Sequence, residues 1–411
     1  MQIGILTRHP DSRTFELVHR PRSFVTLALA AVTLIADQGL GVVQAGAILN
    51  SRRNARLLRE LVVRVRSAFP VAVIAISLLV AMARAEDVRD LLRQGKDLNP
   101  EDVAYLEEKV SGDPQDLAAR TQLLGFYWFM QGRLRDPSIH ERPAQHILWL
   151  IRNAPEASIL EWPEGQLGYY EDQRGYAETA RKAWHDQIAR NPGNTTVLYH
   201  ASEAFTRSDP SLAIELLQEA LSLDGSNPKW PVKLGNLYEL GRHRTSEADV
   251  VKSAENALAA FERAYELSGE EMRGVLLVDL AKNAFVAKKY AKAREYATTA
   301  LDNNPEGWNQ GNRTHFGHLV LGRVALVEGN VEEAKFRLIA AATIQGSPQL
   351  NSFGPDMSLA AKLLEAGEKD VVLKYFELCA MFWESGKDEL ADWTALVTFD
   401  RMPDFSMNLE F

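Results

Sequence analysis

The sequence predicts an all-α chain, an α-solenoid of stacked helix-turn-helix units. Three observations predict it. Apolar residues recur three and four apart through the body of the chain, as at Leu212, Leu216, Leu217, Ala220 and Leu221, which marks one face of a helix. Helix-breaking clusters at Gly112-Asp113-Pro114, Asn191-Pro192-Gly193, Gly225-Ser226-Asn227-Pro228, Asn303-Asn304-Pro305 and Gly346-Ser347-Pro348 fall 34 or 43 residues apart, or about twice that (78 and 79), the period of a helical repeat array. Residues 290–305, YAKAREYATTALDNNP, place Ala at 293, 297 and 300 ahead of Pro305, which builds a helix for close approach and then stops it.

Charge divides the 411-residue chain in two. Residues 1–85 hold eleven Arg, no Lys and four acids, a net +7; the whole chain is at −9, which leaves −16 on the remainder. The first lysine is Lys96. So acidic a body argues against nucleic acid as a partner, because phosphate binding needs concentrated positive charge. The single cysteine, Cys379, excludes an intrachain disulfide and is expected to be a buried thiol in an apolar helix.

Taken in chain order, the first feature is a signal at 62–85. Arg64 and Arg66 precede an apolar run over 69–83, and Ala83-Arg84-Ala85 and the acids Glu86 and Asp87 follow. Positive flank, short apolar core and small-residue site are the parts of a secretory signal peptide. The run is shorter than the ~20 residues of a membrane span. Signal peptides open a chain, so residues 1–61 are expected to be an extension that is not native, with translation starting near Val62, Val63 or Val65. The competing expectation is a membrane-associated extension with residues 69–83 as a retained anchor. Either way the membrane is met only through this segment, and the remainder is expected in the periplasm or outside the cell.

Residues 86–113 predict a leading helix pair with Leu91, Leu92, Val103, Leu106 and Val110 as its apolar face. Residues 114–385 predict the repeat array. In most units one helix carries Leu-Gly or Leu-Ala, and the next tends to carry a small, a large and a small residue. Leu124-Gly125-Trp128 precedes Ala144, Leu148 and Ile151; Leu167-Gly168 precedes Ala180, Trp184 and Pro192. A weaker copy has Ala201, Ala204, Ala213, Leu217 and Ala220. Leu234-Gly235-Tyr238 precedes Ala257, Phe261 and Ala264; Leu280-Ala281-Ala284 precedes Ala293, Ala297 and Ala300; Leu321-Gly322-Ala325 precedes Ala334, Leu338 and Ala341. A divergent copy has Leu359, Ala360, Leu363, Phe376 and Cys379. Insertions near 132–142 and 241–251 are expected to lengthen loops. Residues 386–411 predict a capping helix and a loose tail, because a solenoid needs its end face covered.

This spacing resembles the tetratricopeptide repeat family over roughly residues 115–385, in about seven units. The resemblance implies that the first helix of each hairpin lines a concave surface, and that the residue after the small one faces it. That series is Phe126, Tyr169, Ser202, Asn236, Lys282 and Arg323. One turn further on lie Phe129, Asp172, Phe205, Glu239, Phe285 and Leu326. The expected binding set is therefore Phe126, Tyr169, Phe205, Asn236, Lys282, Phe285 and Arg323, and Lys282 and Arg323 suggest a partner with an anionic segment.

No nucleophile elbow, phosphate-cradling loop or HExxH set is present, so no catalytic residue, metal or cofactor is expected. His315 and His318, three apart, are expected to be packing or surface residues, as are His140 and His146. The function expected is a protein- or peptide-binding adaptor or scaffold, and not an enzyme. The alternatives are an α-helical hydrolase or carbohydrate-active enzyme, whose mark would be a deep, water-excluding pocket holding a carboxyl of raised pKa where a binder would show an open groove, and a structural subunit of an envelope complex.

Overall fold

A computed structural model describes residues 88–130, 138–167, 175–241, 246–405 and 408–409, all within one compact unit, Asp87–Phe411. The expectations for 1–61 and 62–85 lie outside the described residues. Every regular element among those residues is helical.

The unit opens with α1 (88–96) and α2 (Pro100–Gly112). The Asn99 side chain accepts from the Glu101 and Asp102 amides, Asp102 accepts in return from the Asn99 amide, and Pro100 takes the first helical position, where its missing N–H costs nothing. Then follow α3 (Leu117–Met130) and α4 (Ser138–Asn153). Leu92, Val103, Leu106 and Val110 are buried, and Phe126 and Tyr127 of α3 pack against the α2 face.

From there the chain runs α5 (Tyr176–Arg190), α6 (Thr195–Phe205), α7 (Pro210–Leu223), α8 (Lys229–Leu240), α9 (Glu247–Leu267), α10 (Glu270–Val286), α11 (Tyr290–Asp302), α12 (Gln310–Val327) and α13 (Val331–Ala342). A short α14 (Pro348–Phe353), then α15 (Ser358–Glu365), α16 (Lys369–Cys379) and α17 (Lys387–Thr398), complete it. Successive helices pair as hairpins: α6 with α7, α8 with α9, α10 with α11, α12 with α13, α15 with α16. Each hairpin packs on the next, and α10 also touches α12 directly. This is an α-solenoid of tetratricopeptide-like hairpins, in which stacking buries what one hairpin cannot.

The small–large–small code holds these contacts. Ala257, Phe261 and Ala264 on α9, Ala293, Ala297 and Ala300 on α11, and Ala334, Leu338 and Ala341 on α13 are all fully buried. Gly235 lies so close to Phe261 that a Cβ would stand 2.6 Å from the ring; at Gly322 it would stand 2.4 Å from Leu359 Cδ2. Three hairpin turns share one geometry. Lys289, Asn330 and Glu368 amides reach back to the Ala284, Ala325 and Leu363 carbonyls at 2.8, 2.8 and 2.9 Å, and the residue before each is left-handed: Lys288, Gly329 and Gly367.

Three details depart from expectation. Gly168 lies outside the described residues, and 158–167 forms two 3₁₀ turns, Ser158–Glu161 and Pro163–Gly165, in place of a first helix. Pro155 and Pro163 withhold the amides a regular helix would need there. The insertion near 241–251 lengthens α9 to 21 residues, because Ser246 caps the Asp249 amide and starts the helix early. The tail is not loose: Phe405 is buried against Phe376 and Trp393, and Asn408 bonds the Phe353 and Pro355 carbonyls at 3.2 and 3.0 Å while its own carbonyl accepts from the Met357 amide. Cys379 is fully buried, and burial pushes its thiol up.

Candidate functional site: the first-helix face

The first helices carry the expected binding residues, and the structure separates these into three groups. Phe126 and Phe205 are 6% and 2% exposed and belong to the core, Phe126 among the α2 side chains and Phe205 beside His185. Their rings fill gaps between helices, so neither lines an open surface. Tyr169 lies outside the described residues. Asn236 is exposed on α8, Lys282 and Arg323 are half-buried, and Phe285 is buried to its edge.

Lys282, Phe285 and Arg323 come together along the seam where α10 meets α12. The Lys282 ammonium of α10 stands 4.7 Å from the ring centre of Phe316 on α12, and the Arg323 guanidinium of α12 stands 4.3 Å from the ring of Phe285 on α10. Each helix thus offers one cation and takes one on its own aromatic face. Burial pulls Arg323 below the usual guanidinium value, opposed by the Asp356 carboxylate and by Tyr290.

A carboxyl pair adjoins this seam. Asn283 of α10 donates to Glu239 Oε1 of α8 at 2.6 Å and to the Asp279 carbonyl at 2.7 Å. Burial, with the Glu239 charge added and Lys282 opposing, pushes the Asp279 carboxyl up to about 7. Phe316, Asp279 and Asn283 were not singled out from the sequence. Phe316 lies six residues before the small Gly322 and Asp279 two before Ala281, so neither falls at the residue after the small one, and their place is set by the packing of α10 on α12 and α8.

A second cluster lies between α6 and α8. Lys229 Nζ stands 3.7 Å and Lys233 Nζ 5.4 Å from the Tyr199 ring centre. Lys229 also pairs with Glu161 at 3.0 Å, and Lys233 with Glu203 at 3.2 Å. Fully buried His200 donates from Nδ1 to the Pro155 carbonyl at 2.7 Å, and its Nε2 faces Glu161 Oε1 at 3.4 Å. Burial would raise Glu161, but His200 and Lys229 outweigh it and hold the carboxyl at about 2.

His146, His315 and His318 are held in place by structural contacts, and the His140 side chain lies outside the described residues. The Arg120 guanidinium can only donate, so His146 Nδ1, 3.0 Å away, accepts; Nε2–H then points at Glu107 Oε1, 3.2 Å away, which Tyr127 also bonds. His315 Nδ1 donates to the Ala341 carbonyl at 2.9 Å and Nε2 accepts from the Asp356 amide at 3.1 Å. His318 Nδ1 accepts from Arg337 at 3.2 Å. Among the described residues no group of three or more His, Cys, Asp or Glu is placed to hold a metal, and no helix is long and apolar enough to cross a membrane.

No family model matches the sequence, and no curated protein matches it. Solved structures do show similarity. One, described as a functional characterization of Pseudomonas aeruginosa pilF, is 20% identical and covers 59% of this chain and 98% of that one, with a TM-score of 0.36. A human IFIT1 dimer with PPP-AAAA is 18% identical over 71% of this chain and 68% of that one, with a TM-score of 0.40. A human IFIT1 dimer with m7Gppp-AAAA is 19% identical over 71% and 67%, also at 0.40. Likeness of this order speaks to neither activity nor partner. The expectation that nucleic acid is excluded rests on the charge of the body alone.

Proposed function

We propose that the protein is a helical-repeat adaptor or scaffold that binds a protein or peptide partner with an anionic segment on its first-helix face. The observation that carries this is the cation–aromatic exchange along the α10–α12 seam, with Lys229 and Lys233 over Tyr199 as a second example further up the array. Cations half-sunk on aromatic rings are held in fixed, partly desolvated positions, with Lys229 and Lys233 already on the carboxylates of Glu161 and Glu203, the kind of group this face accommodates, and this favours a carboxylate-bearing guest. The protein acts after export, once the segment 62–85 has been cleaved.

Two experiments test this. Lys282→Glu with Arg323→Glu in the full chain should abolish capture of the native partner while the helical circular dichroism persists. Capture at the parental level would refute the reading. Amino-terminal sequencing of the exported protein should find a terminus at about Glu86; a terminus far upstream would refute export by cleavage there.

One observation favours a second reading, the hydrolase. Burial and the neighbouring Glu239 raise the Asp279 carboxyl to about 7, and a carboxyl raised in this way is one of the two groups glycoside hydrolysis needs. Turnover of a chromogenic glycoside that Asp279→Asn abolishes would support it, and its absence from the parent protein would remove it.

A further inference from the structure

Arg313, in the first turns of α12, differs from the other cations of the seam. It is 7% exposed, yet among the described residues no carboxylate pairs with it. Its one hydrogen bond runs from Nη1 to the Asn303 carbonyl at 3.1 Å. Nε is buried with no partner. Gly274 of α10 seats the group: a Cβ there would stand 2.6 Å from Nη2 and 3.1 Å from Cζ, so only the bare backbone lets the guanidinium lie across the helix.

A buried guanidinium without a counter-charge is costly, because it keeps its charge, and here Nε–H is shut off from water with no acceptor. The edge left over is a specific one. Nε–H and the adjacent N–H of Nη2 point the same way and form the fork that meets two oxygens of a carboxylate or phosphate at once. We propose that Arg313 is the receptor for an oxyanion, a carboxylate or phosphate group, docking on this Nε/Nη2 edge at the amino-terminal end of the α10–α12 seam.

The proposal deepens the adaptor reading by giving the partner's anionic group an anchor. Arg313, Phe316 and Arg323 follow one stripe of α12, and Gly274, Lys282 and Phe285 follow the facing stripe of α10. Ten residues separate Arg313 from Arg323, a rise of ~15 Å, so one extended segment of about five residues would span the seam. Binding is reversible and no covalent step is involved.

The test uses the full chain and two small probes. Thermal unfolding is followed against inorganic phosphate and against acetate, with chloride replaced at constant ionic strength. The parent is expected to show a saturable rise in Tm with at least one of the two. Arg313→Met should lose that rise while melting no lower than the parent in chloride, since it removes an unpaired buried charge. Arg313→Lys, which keeps the charge and loses the fork, should weaken the apparent affinity about tenfold. A parent that responds to neither probe overturns the proposal. So does an Arg313→Met variant that keeps the parental response, or one that melts well below the parent in chloride because the Asn303 bond was the residue's whole purpose. Partner capture is measured separately. Loss of capture by Arg313→Met with the anion response of the parent established places the partner's anion here. An intact anion response with no partner captured by the parent refutes the adaptor reading and leaves the oxyanion site standing.

Discussion

The Arg323 guanidinium of α12 lies 4.3 Å from the ring centre of Phe285 on α10, and Lys282 of α10 lies on Phe316 of α12. The two contacts cross the same seam in opposite directions, so they resist sliding of one first helix along the other. A double-mutant cycle with Arg323→Met and Phe285→Leu isolates one of them. The expected coupling is ~0.5–1 kcal/mol, the range for a half-desolvated cation on a phenyl face. Additive urea midpoints would mean that the contact is geometric only.

Asp279 ties stability to pH. Its carboxyl is raised from 3.8 to about 7 by burial and by Glu239, with Lys282 opposing. The folded state therefore holds a proton that the unfolded chain has released. This cost is absent below about pH 4, grows as pH rises and is complete above about pH 7. Fully buried His315, lowered to about 4 by burial, works in the other direction: its stabilising neutral form is lost as pH falls from about 6.5 to 4. Asp279→Asn removes only the first effect. Denaturant unfolding should show the variant gaining on the parent from pH 4 to pH 8, by an amount on the order of a few kcal/mol. A pH-independent difference would place the Asp279 carboxylate in water.

Close approach is the basis of the array, and Gly235 measures it. A methyl at this position meets the Phe261 ring at 2.6 Å, and that ring is itself fully enclosed and cannot turn away. Gly235→Ala is expected to cost ~1–3 kcal/mol despite its better helix propensity. Ala293→Trp should cost at least as much. Unchanged thermal melts of both would show that the hairpins are not packed in this register.

The tail closes the last hairpin. Phe405 sits 5.0 Å from the ring centre of Trp393 and 6.1 Å from that of Phe376. Phe405→Ala opens a cavity against two aromatic rings and should cost ~3–5 kcal/mol. It should also shift tryptophan emission to the red, since Trp393 and Trp383 gain water. Loss of stability without a spectral change would place the damage elsewhere.

The small–large–small pattern was legible because the second helix of each hairpin must repeat it to stack, so Ala257, Phe261 and Ala264 are found again at Ala334, Leu338 and Ala341. The candidate site was legible only in part. Lys282, Phe285 and Arg323 follow from position on the first helix, but Phe126 and Phe205 hold the same position and are buried. What separates them is the neighbouring helix: α2 covers Phe126, and the stretch after α4, where prolines replace a regular helix by 3₁₀ turns, changes what packs around α6. Phe405 was missed for a related reason. A lone aromatic after a helix has no period, and its partners lie 12 and 29 residues back in the chain.

The hairpin turns carry one residue that disagrees with its own geometry. Gly329 and Gly367 adopt φ of 78° and 85°, and Lys288 takes the same place in the α10–α11 turn with φ of 59°. A left-handed lysine costs roughly 1–2 kcal/mol relative to its helical or extended forms, because Cβ crowds the following carbonyl. Its ion pair with Glu247 at 2.7 Å is solvent-exposed and screened, so it does little to offset this cost. Lys288→Gly removes the crowding and adds backbone freedom to the unfolded chain, worth ~0.5–1 kcal/mol against it. The net expectation is a gain of about 0.5–1 kcal/mol in urea unfolding. Gly367→Ala runs the same comparison backwards and should lose about 1 kcal/mol. If Lys288→Gly destabilises while Gly367→Ala is neutral, the two turns do not share the backbone geometry that their matching six-residue hydrogen bonds describe.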